Sequence, residues 1–205
     1  TVDSFEIGAK TETLGRTLYL DGAVFYYRYD NFQTTIQQGT LFVTTNAGEA
    51  ESYGVELQAR WSPNDNLSLF GAYAWNHSRF KAGIREGNRF RLSPDHTLSF
   101  GGTVGFDVGR GRIDFTPSVT YQSKVFFDDD NDRPDLQTMA MGALVPDLVQ
   151  DEFQDGFALV NARLGYSFDG AFRIEAFAAN LLNEKYVKDA GNTGDALGLP
   201  TFIAG

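Results

Sequence analysis

The chain has 205 residues, a formal net charge of −10 and no cysteine, and 42% of its residues are hydrophobic. Its mean hydropathy is −0.28, and no apolar run reaches the ~18 residues of a transmembrane helix, so a helical membrane span is excluded. A transmembrane barrel is not excluded, because only alternate residues of its strands need be apolar. The acidic charge argues against nucleic acid as a partner, and the lack of cysteine excludes disulfides and thiolate metal sites.

Apolar and polar residues alternate along most of the chain, which predicts an all-β fold. The segment 112–122 is the clearest example, since every second residue is apolar and all the residues between them are polar. Eight segments follow the pattern, at 3–13, 16–36, 52–61, 67–78, 97–106, 112–122, 160–168 and 172–179. They predict an antiparallel up-and-down sheet of about eight strands in a single domain.

Short and long connections between these strands alternate strictly. The short ones lie at 14–16, 63–66, 109–111 and 169–170, and the long ones near 37–49, 81–95, 124–156 and 181–205. Short turns on one rim and long loops on the other are typical of outer-membrane barrels, whose short turns are periplasmic. The pattern therefore predicts a segment of a transmembrane β-barrel.

Charged residues within the predicted strands indicate which face meets lipid. An ionised side chain on the lipid side near mid-membrane costs roughly 2–4 kcal/mol. We therefore expect the apolar face to meet outer-membrane lipid and the charged strand residues to face the lumen. These residues are Glu56, Arg60, Asp114, Arg163, Arg173 and Glu175.

The direction of the strands predicts that the barrel is incomplete. If the short turns are periplasmic, the last predicted strand runs up and ends at the outer surface. Bacterial barrels of this kind have an even number of strands and both ends in the periplasm, so at least one descending strand is expected after Gly205. Eight strands with two open edges are also not a finished sheet. We expect residues 1–205 to be the C-terminal portion of a larger barrel, open because it is a fragment.

Several short motifs support this interpretation by their order along the chain. Asn180-Leu181-Leu182-Asn183-Glu184-Lys185-Tyr186 follows the last predicted strand, and further pieces lie at 51–57 with Trp61, at 67–69 and at 94–99. Together they resemble the barrel of TonB-dependent outer-membrane receptors over essentially the whole chain. The Asn180 motif resembles the one that ends the penultimate strand of these receptors, where the strand meets the last outer loop.

The resemblance implies a function in the outer membrane of a Gram-negative bacterium. The full protein would import a scarce small-molecule nutrient of the siderophore, cobalamin or oligosaccharide class. The plug and the energy-coupling box, through which the TonB-ExbB-ExbD system acts, would lie outside this chain. A passive porin, a membrane-embedded hydrolase and a soluble all-β binding protein are the alternatives.

No enzymatic activity, cofactor or metal is expected. The candidates for catalysis are the two histidines, in the pairs His77-Ser78 and Asp95-His96. Adjacent residues of a strand point to opposite faces, so neither pair forms a catalytic unit by itself. We expect both histidines to have rim or turn roles.

The longest connection contains the acidic run Asp128-Asp129-Asp130-Asn131-Asp132. An EF-hand is excluded, because Arg133 stands where the loop needs glycine and Met139 where it needs glutamate. A looser divalent site, a selectivity element for a cationic ligand and a solvated acidic loop remain open. Aromatic residues of the long connections either stack on a ligand or support a loop. The candidate ligand-facing residues are Tyr29, Phe32, Phe126, Phe127, Asp128, Asp130 and Asp132.

Overall fold

A computed structural model of the chain describes residues 1–38, 41–136, 150–169, 171–190 and 202–204. The regular secondary structure of these described residues consists of β-strands, and none of their segments is a helix long and apolar enough to cross a membrane. The strands are β1 (Val2–Thr13), β2 (Leu18–Gln38), β3 (Leu41–Asn64), β4 (Leu67–Phe80), β5 (His96–Val108), β6 (Gly111–Gln122), β7 (Val125–Phe126), β8 (Phe153–Gln154), β9 (Phe157–Phe168), β10 (Phe172–Ala178), β11 (Val187–Ala190) and β12 (Phe202–Ala204).

The long strands form one open antiparallel sheet in the order β1-β2-β3-β4-β5-β6-β9-β10. The short strands pair as β7-β8 and β11-β12 within the long connections. The prediction of an up-and-down sheet of eight strands is confirmed. In such a sheet every second connection lies at the same end of the strands. The short turns therefore share one end, and the long connections share the other.

The prediction of a long loop near 37–49 is wrong, because β2 and β3 continue through it as a paired hairpin up to Gln38 and Leu41. The register shifts between Tyr29 and Phe32 and again between Phe32 and Gln33. Such bulges move the following side chains to the opposite face, so the period of two loses its phase although the strand continues.

The register of the sheet separates two faces, since residues directly opposite each other point the same way. Asp114 is opposite Gly165, which is opposite Glu175. The same relation, followed strand by strand, places Glu56, Arg60, Asp114, Arg163, Arg173 and Glu175 together on one face, the polar face. The apolar face carries exposed large side chains that include Phe5, Ile7, Leu57, Phe100, Phe115 and Ile174.

Packing is uneven along the sheet. Besides Ala190 in β11, the buried hydrophobic residues of the described chain are Ala50, Phe80, Val125 and Phe127, which all lie at the end of the strands that carries the long connections. We call this region the loop cluster, consisting of residues 29–34 and 43–50 of the extended hairpin, the connection 81–95, and residues 124–136 and 150–154. The described core is therefore concentrated at one end of the sheet, the end where ligand-binding residues were expected.

Candidate functional site

Four aromatic side chains form the centre of the loop cluster. The ring of Phe32 stacks on Phe90 with centroids 4.9 Å apart and meets Phe80 edge-on at 5.5 Å. Tyr29 packs edge-on against Phe32 at 5.4 Å. Phe80 is only 1% exposed. These contacts bring the two sequence-predicted residues, Tyr29 and Phe32, together in one aromatic cluster, and that they face a ligand stays a prediction.

Sequence reasoning missed Phe80 and Phe90. Phe80 ends β4, and Phe90 lies in a connection without alternation, so no periodic signal marked either residue. Their pairing depends on the turn between them, in which the backbone N–H of Phe80 donates to the carbonyl of Asn88 at 3.0 Å.

The acidic run is folded inward, with Asp129, Asp130 and Asp132 only 5%, 8% and 2% exposed. The carboxylate of Asp129 accepts hydrogen bonds from Thr34 Oγ1 at 2.5 Å and from the backbone N–H of Arg91 at 3.1 Å. The alternative of a solvated acidic loop is therefore wrong for Asp129, Asp130 and Asp132. These carboxylates turn toward backbone and hydroxyl donors that the composition of the run does not indicate.

The burial changes the acidity of two carboxyl groups in the run. Burial raises the pKa of Asp130 from 3.8 to about 6, because the ionised form loses its hydration. The backbone N–H of Asp132 and the charge of Arg85 oppose this rise only in part. Burial also raises the pKa of Asp128.

Two asparagines join the acidic run to the connection 81–95. Asn88 Nδ2 donates to the carbonyls of Asp129 at 3.0 Å and Asp130 at 2.8 Å. In return, Asn131 Nδ2 donates to the carbonyl of Arg89 at 2.9 Å, and Asn131 Oδ1 accepts from the Arg89 backbone N–H at 2.5 Å. Each asparagine therefore satisfies buried backbone groups of the other segment, which makes the two segments one structural unit.

The other predicted aromatic residues of the cluster have protein partners. Phe127 is buried, at 8% exposure. Phe126 faces Phe153 across the β7-β8 pair, with ring centroids 6.3 Å apart. The ammonium group of Lys124 lies 3.4 Å from the Phe153 ring centroid and 4.8 Å from that of Phe126, in cation–π geometry. That these residues face a ligand stays a prediction.

An ion cluster supports the base of the connection 81–95. Arg79 makes hydrogen bonds to both carboxylate oxygens of Asp95, at 3.2 and 3.3 Å, and Arg89 forms an ion pair with the same carboxylate. Burial by itself would raise the pKa of Asp95, but the hydrogen bonds from Arg89 and Arg79 outweigh it and lower the pKa below its usual value. The pKa of Asp95 is thus lowered, whereas that of Asp130 is raised.

The polar face carries a separate ion network near the end of the strands that carries the short turns. Asp114 accepts from Arg112 Nε at 3.2 Å and from Arg173 Nη1 at 2.9 Å. Glu175 forms ion pairs with Arg163 and Arg173, each at 3.4 Å. Four of the six residues predicted for the lumen therefore belong to one network that crosses β6, β9 and β10.

A groove of about 590 Å³ runs over the same polar face toward the long connections. Phe157 and Tyr186, which also line it, stack with ring centroids 4.5 Å apart and an interplanar angle of 12°. Its polar lining residues are Glu56, Gln58, Thr97, Ser99, Thr120 and Gln122. Sequence reasoning missed Phe157, whereas Tyr186 was visible as the last residue of the Asn180 motif. Arg60 lies on the same face outside the ion network, opposite Phe70.

Neither a metal centre nor a catalytic pair forms within the ranges that the structure describes. No three His, Cys, Asp or Glu side chains there are grouped to hold a metal ion. His96 Nδ1 lies 2.9 Å from the Tyr73 hydroxyl. The hydroxyl of Ser78 donates to Asn76 Oδ1 at 2.8 Å rather than to the adjacent His77. The divalent-site and hydrolase alternatives therefore gain no support from the described residues.

The chain is similar to curated receptors of two Yersinia species. It is 27% identical over 192 residues to the ferrioxamine receptor of Yersinia enterocolitica, covering 91% of this chain and 24% of that protein. It is 22% identical over 185 residues to the pesticin receptor of Yersinia pestis, covering 89% of this chain and 24% of that protein. The chain thus spans about a quarter of the length of these curated relatives.

Solved structures show the same fold. The ferric yersiniabactin uptake receptor FyuA from Yersinia pestis superposes with a TM-score of 0.75 at 20% identity, covering 99% of this chain and 27% of that one. The ferric preacinetobactin receptor BauA from Acinetobacter baumannii superposes with a TM-score of 0.70 at 14% identity, covering 100% and 27%.

A family model described as TonB dependent receptor-like, beta-barrel matches residues 1–181. The location of the chain is accordingly the outer membrane of a Gram-negative bacterium. The sheet has one apolar and one charged face, and the packed loop cluster lies at one end of its strands. The chain belongs to the TonB-dependent receptor β-barrel family.

Proposed function

We propose that this chain forms barrel wall and outer loops of a receptor that imports a ferric siderophore with energy from the TonB-ExbB-ExbD system. The observation that carries the proposal is the pairing of a two-faced sheet with a compact loop cluster at one edge. The sheet supplies a lipid-facing wall and a charged lumen surface, and the cluster supplies a folded outer surface for recognition. The ligands in the names of the relatives, ferrioxamine and ferric yersiniabactin, support the siderophore class.

We also propose that residues 1–205 are the C-terminal portion of the barrel, as one incomplete domain. The share of the relatives that the chain covers supports this, as do the outer edges of β1 and β10, which have no partner strand among the described residues. Unpaired backbone groups cannot be satisfied in hydrocarbon, so neighbouring strands must cover both edges. Barrels of about 22 strands are plugged, and we place the plug and the energy-coupling segment in the remainder of the protein.

Burial ranks the candidate ligand-facing residues of the cluster. Tyr29, Phe32, Phe126 and Asp128 are half-buried and keep accessible surface for a ligand. The buried members, Phe127, Asp130 and Asp132, position the loop from inside. On the polar face, the six charged residues line the lumen in this proposal.

Uptake measurements test the proposed function. Cells that produce the full-length receptor are given iron-55 ferrioxamine or another labelled ferric siderophore, with and without a working TonB system. We expect accumulation only when the receptor and TonB are both present. Accumulation that continues without TonB would support the porin alternative and overturn active import. Cells without the receptor provide the background.

A further inference from the structure

The connection 81–95 and the acidic run meet around a buried carboxyl group. We propose that this part of the loop cluster is a proton-sensitive clasp, in which protonation of the Asp130 side chain tightens the union of the two segments. The proposal concerns the conformation of the outer loops and does not depend on which ligand the receptor imports.

The backbone carbonyl of Asp130 is hydrogen-bonded to the connection 81–95, whereas its carboxyl group has few partners that could compensate a negative charge. Its carbonyl accepts from Asn88 Nδ2 at 2.8 Å, and its carboxylate accepts from the backbone N–H of Asp132 at 3.0 Å. Among the described residues, no cationic side chain forms an ion pair with it. The side chain therefore cannot ionise without an uncompensated charge at the junction of the two segments.

The charged groups around Asp130 do not remove this penalty. From the connection 81–95, Arg85 and Arg91 face the acidic run and favour ionisation. Arg85 is 8% exposed and its Nε has no hydrogen-bond partner among the described residues, so its influence on Asp130 is that of a nearby charge. Further charged groups close to Asp130 are Asp128, Asp129 and Asp132 within the run, Arg133 directly after it and Glu152 of the adjoining segment. Among the described side chains of β2, the neutral hydroxyl of Thr34 contacts the run and donates to Asp129.

The direction of the pH effect follows from the raised pKa. The closed clasp holds Asp130 with a pKa of about 6, whereas the solvated group has 3.8. A group whose pKa is raised in the closed state stabilises that state fully below the lower value, and the stabilisation is lost as pH rises through the higher one. The closing equilibrium should therefore be roughly 25-fold more favourable at pH 4.5 than at pH 7.5.

A second carboxyl group keeps the rest of the cluster intact over this range. The pKa of Asp95 is lowered by its hydrogen bonds with Arg89 and Arg79, so its ion pairs persist until the pH falls below its usual value. Acidification to pH 4.5 thus tightens the clasp without dissolving the ion cluster at the base of the connection.

Pulsed electron–electron double resonance on the full-length receptor in detergent can test the proposal. The spin labels do not titrate in this pH range, so a change in the distance distribution reports a change in the protein. Spin labels replace the exposed Glu86 in one segment and Pro134 in the other. We expect a narrow distance distribution at pH 4.5 and a broad one at pH 7.5. Asp130→Asn mimics the protonated group and should give the narrow distribution at both pH values.

Two further variants control the measurement. Asp155→Asn changes an exposed carboxyl group close to the cluster and should leave the pH response unchanged. Asn88→Ala removes the grip on the Asp130 carbonyl and should broaden the distribution at both pH values. The proposal is overturned if the unmodified clasp shows the same distribution at pH 4.5 and 7.5, or if Asp130→Asn keeps the full pH response.

Discussion

The wall strands and the loop cluster are stabilised in opposite ways. In the wall, large apolar side chains such as Phe100, at 55% exposure, and Ile174, at 65%, have no cover within the described chain and depend on lipid. In the loop cluster, Phe80 and the carboxyl groups of Asp129 and Asp130 are buried against neighbouring segments. The wall therefore depends on its surroundings, whereas the cluster depends on contacts that the chain makes with itself.

The largest expected effect removes the central ring of the loop cluster. Phe80→Ala leaves a cavity between Phe32 and Phe90 and should destabilise the cluster by about 3–5 kcal/mol. Hydrogen exchange of the full-length receptor should show lost protection in 81–95 and 124–136 but unchanged protection in β5 and β6. Equal loss in the wall strands would mean that the two regions are not independently stabilised.

A charge placed on each face of one wall strand tests the dependence on lipid. Val119→Arg puts a guanidinium on the apolar face and should cost roughly 2–4 kcal/mol near mid-membrane. Ser118→Arg, one residue away on the polar face, should be tolerated. The amount of folded receptor in outer membranes measures both, and similar losses for the two variants would contradict the assignment of the lipid side.

Removing a partly buried charge from the cluster should have a smaller effect. Asp95→Asn weakens the acceptor of Arg79 and Arg89 and should destabilise the connection 81–95 by roughly 1–3 kcal/mol. Because the pKa of Asp95 is lowered, this contribution is present above its usual pKa and is lost as pH falls through the lowered value. Hydrogen exchange of 81–95 at pH 7 should therefore separate the variant from the unmodified receptor, and no difference would make the ion cluster incidental.

The smallest expected effect comes from an exposed ion pair of the same cluster. Asp135 is paired with Arg133 at 2.7 Å in solvent, where salt screening and side-chain entropy remove most of the benefit. Asp135→Asn should leave the exchange of 124–136 within experimental error. A clear loss of protection would show that the cluster depends on surface charge as well as on its buried contacts.

Sequence reasoning succeeded for the wall because the face of each wall residue follows from a local rule, the alternation of apolar and polar residues along a strand. In β6, the alternation over 112–122 places every charged residue on the face away from lipid. The register confirms that these residues form a strand and that it pairs with β5 and β9. The same rule failed above Tyr29, where bulges shift the phase and the hairpin continues to Gln38. The alternation of short and long connections still identified the meander, because the order of the strands is the same whether residues 37–49 form a loop or extend a hairpin.

The sequence by itself determined the two-faced antiparallel sheet, since a period of two and the cost of charge in lipid leave few other arrangements. It also carried the Asn180 motif and hence the resemblance to the family. Only the tertiary structure showed how the acidic run is placed, because three of its four carboxyl groups, those of Asp129, Asp130 and Asp132, are buried, and the run is held by partners as distant as Thr34 and Asn88. Long-range hydrogen bonds of this kind leave no periodic trace, so burial, and with it the raised pKa of Asp130, becomes visible only when the loops are folded together.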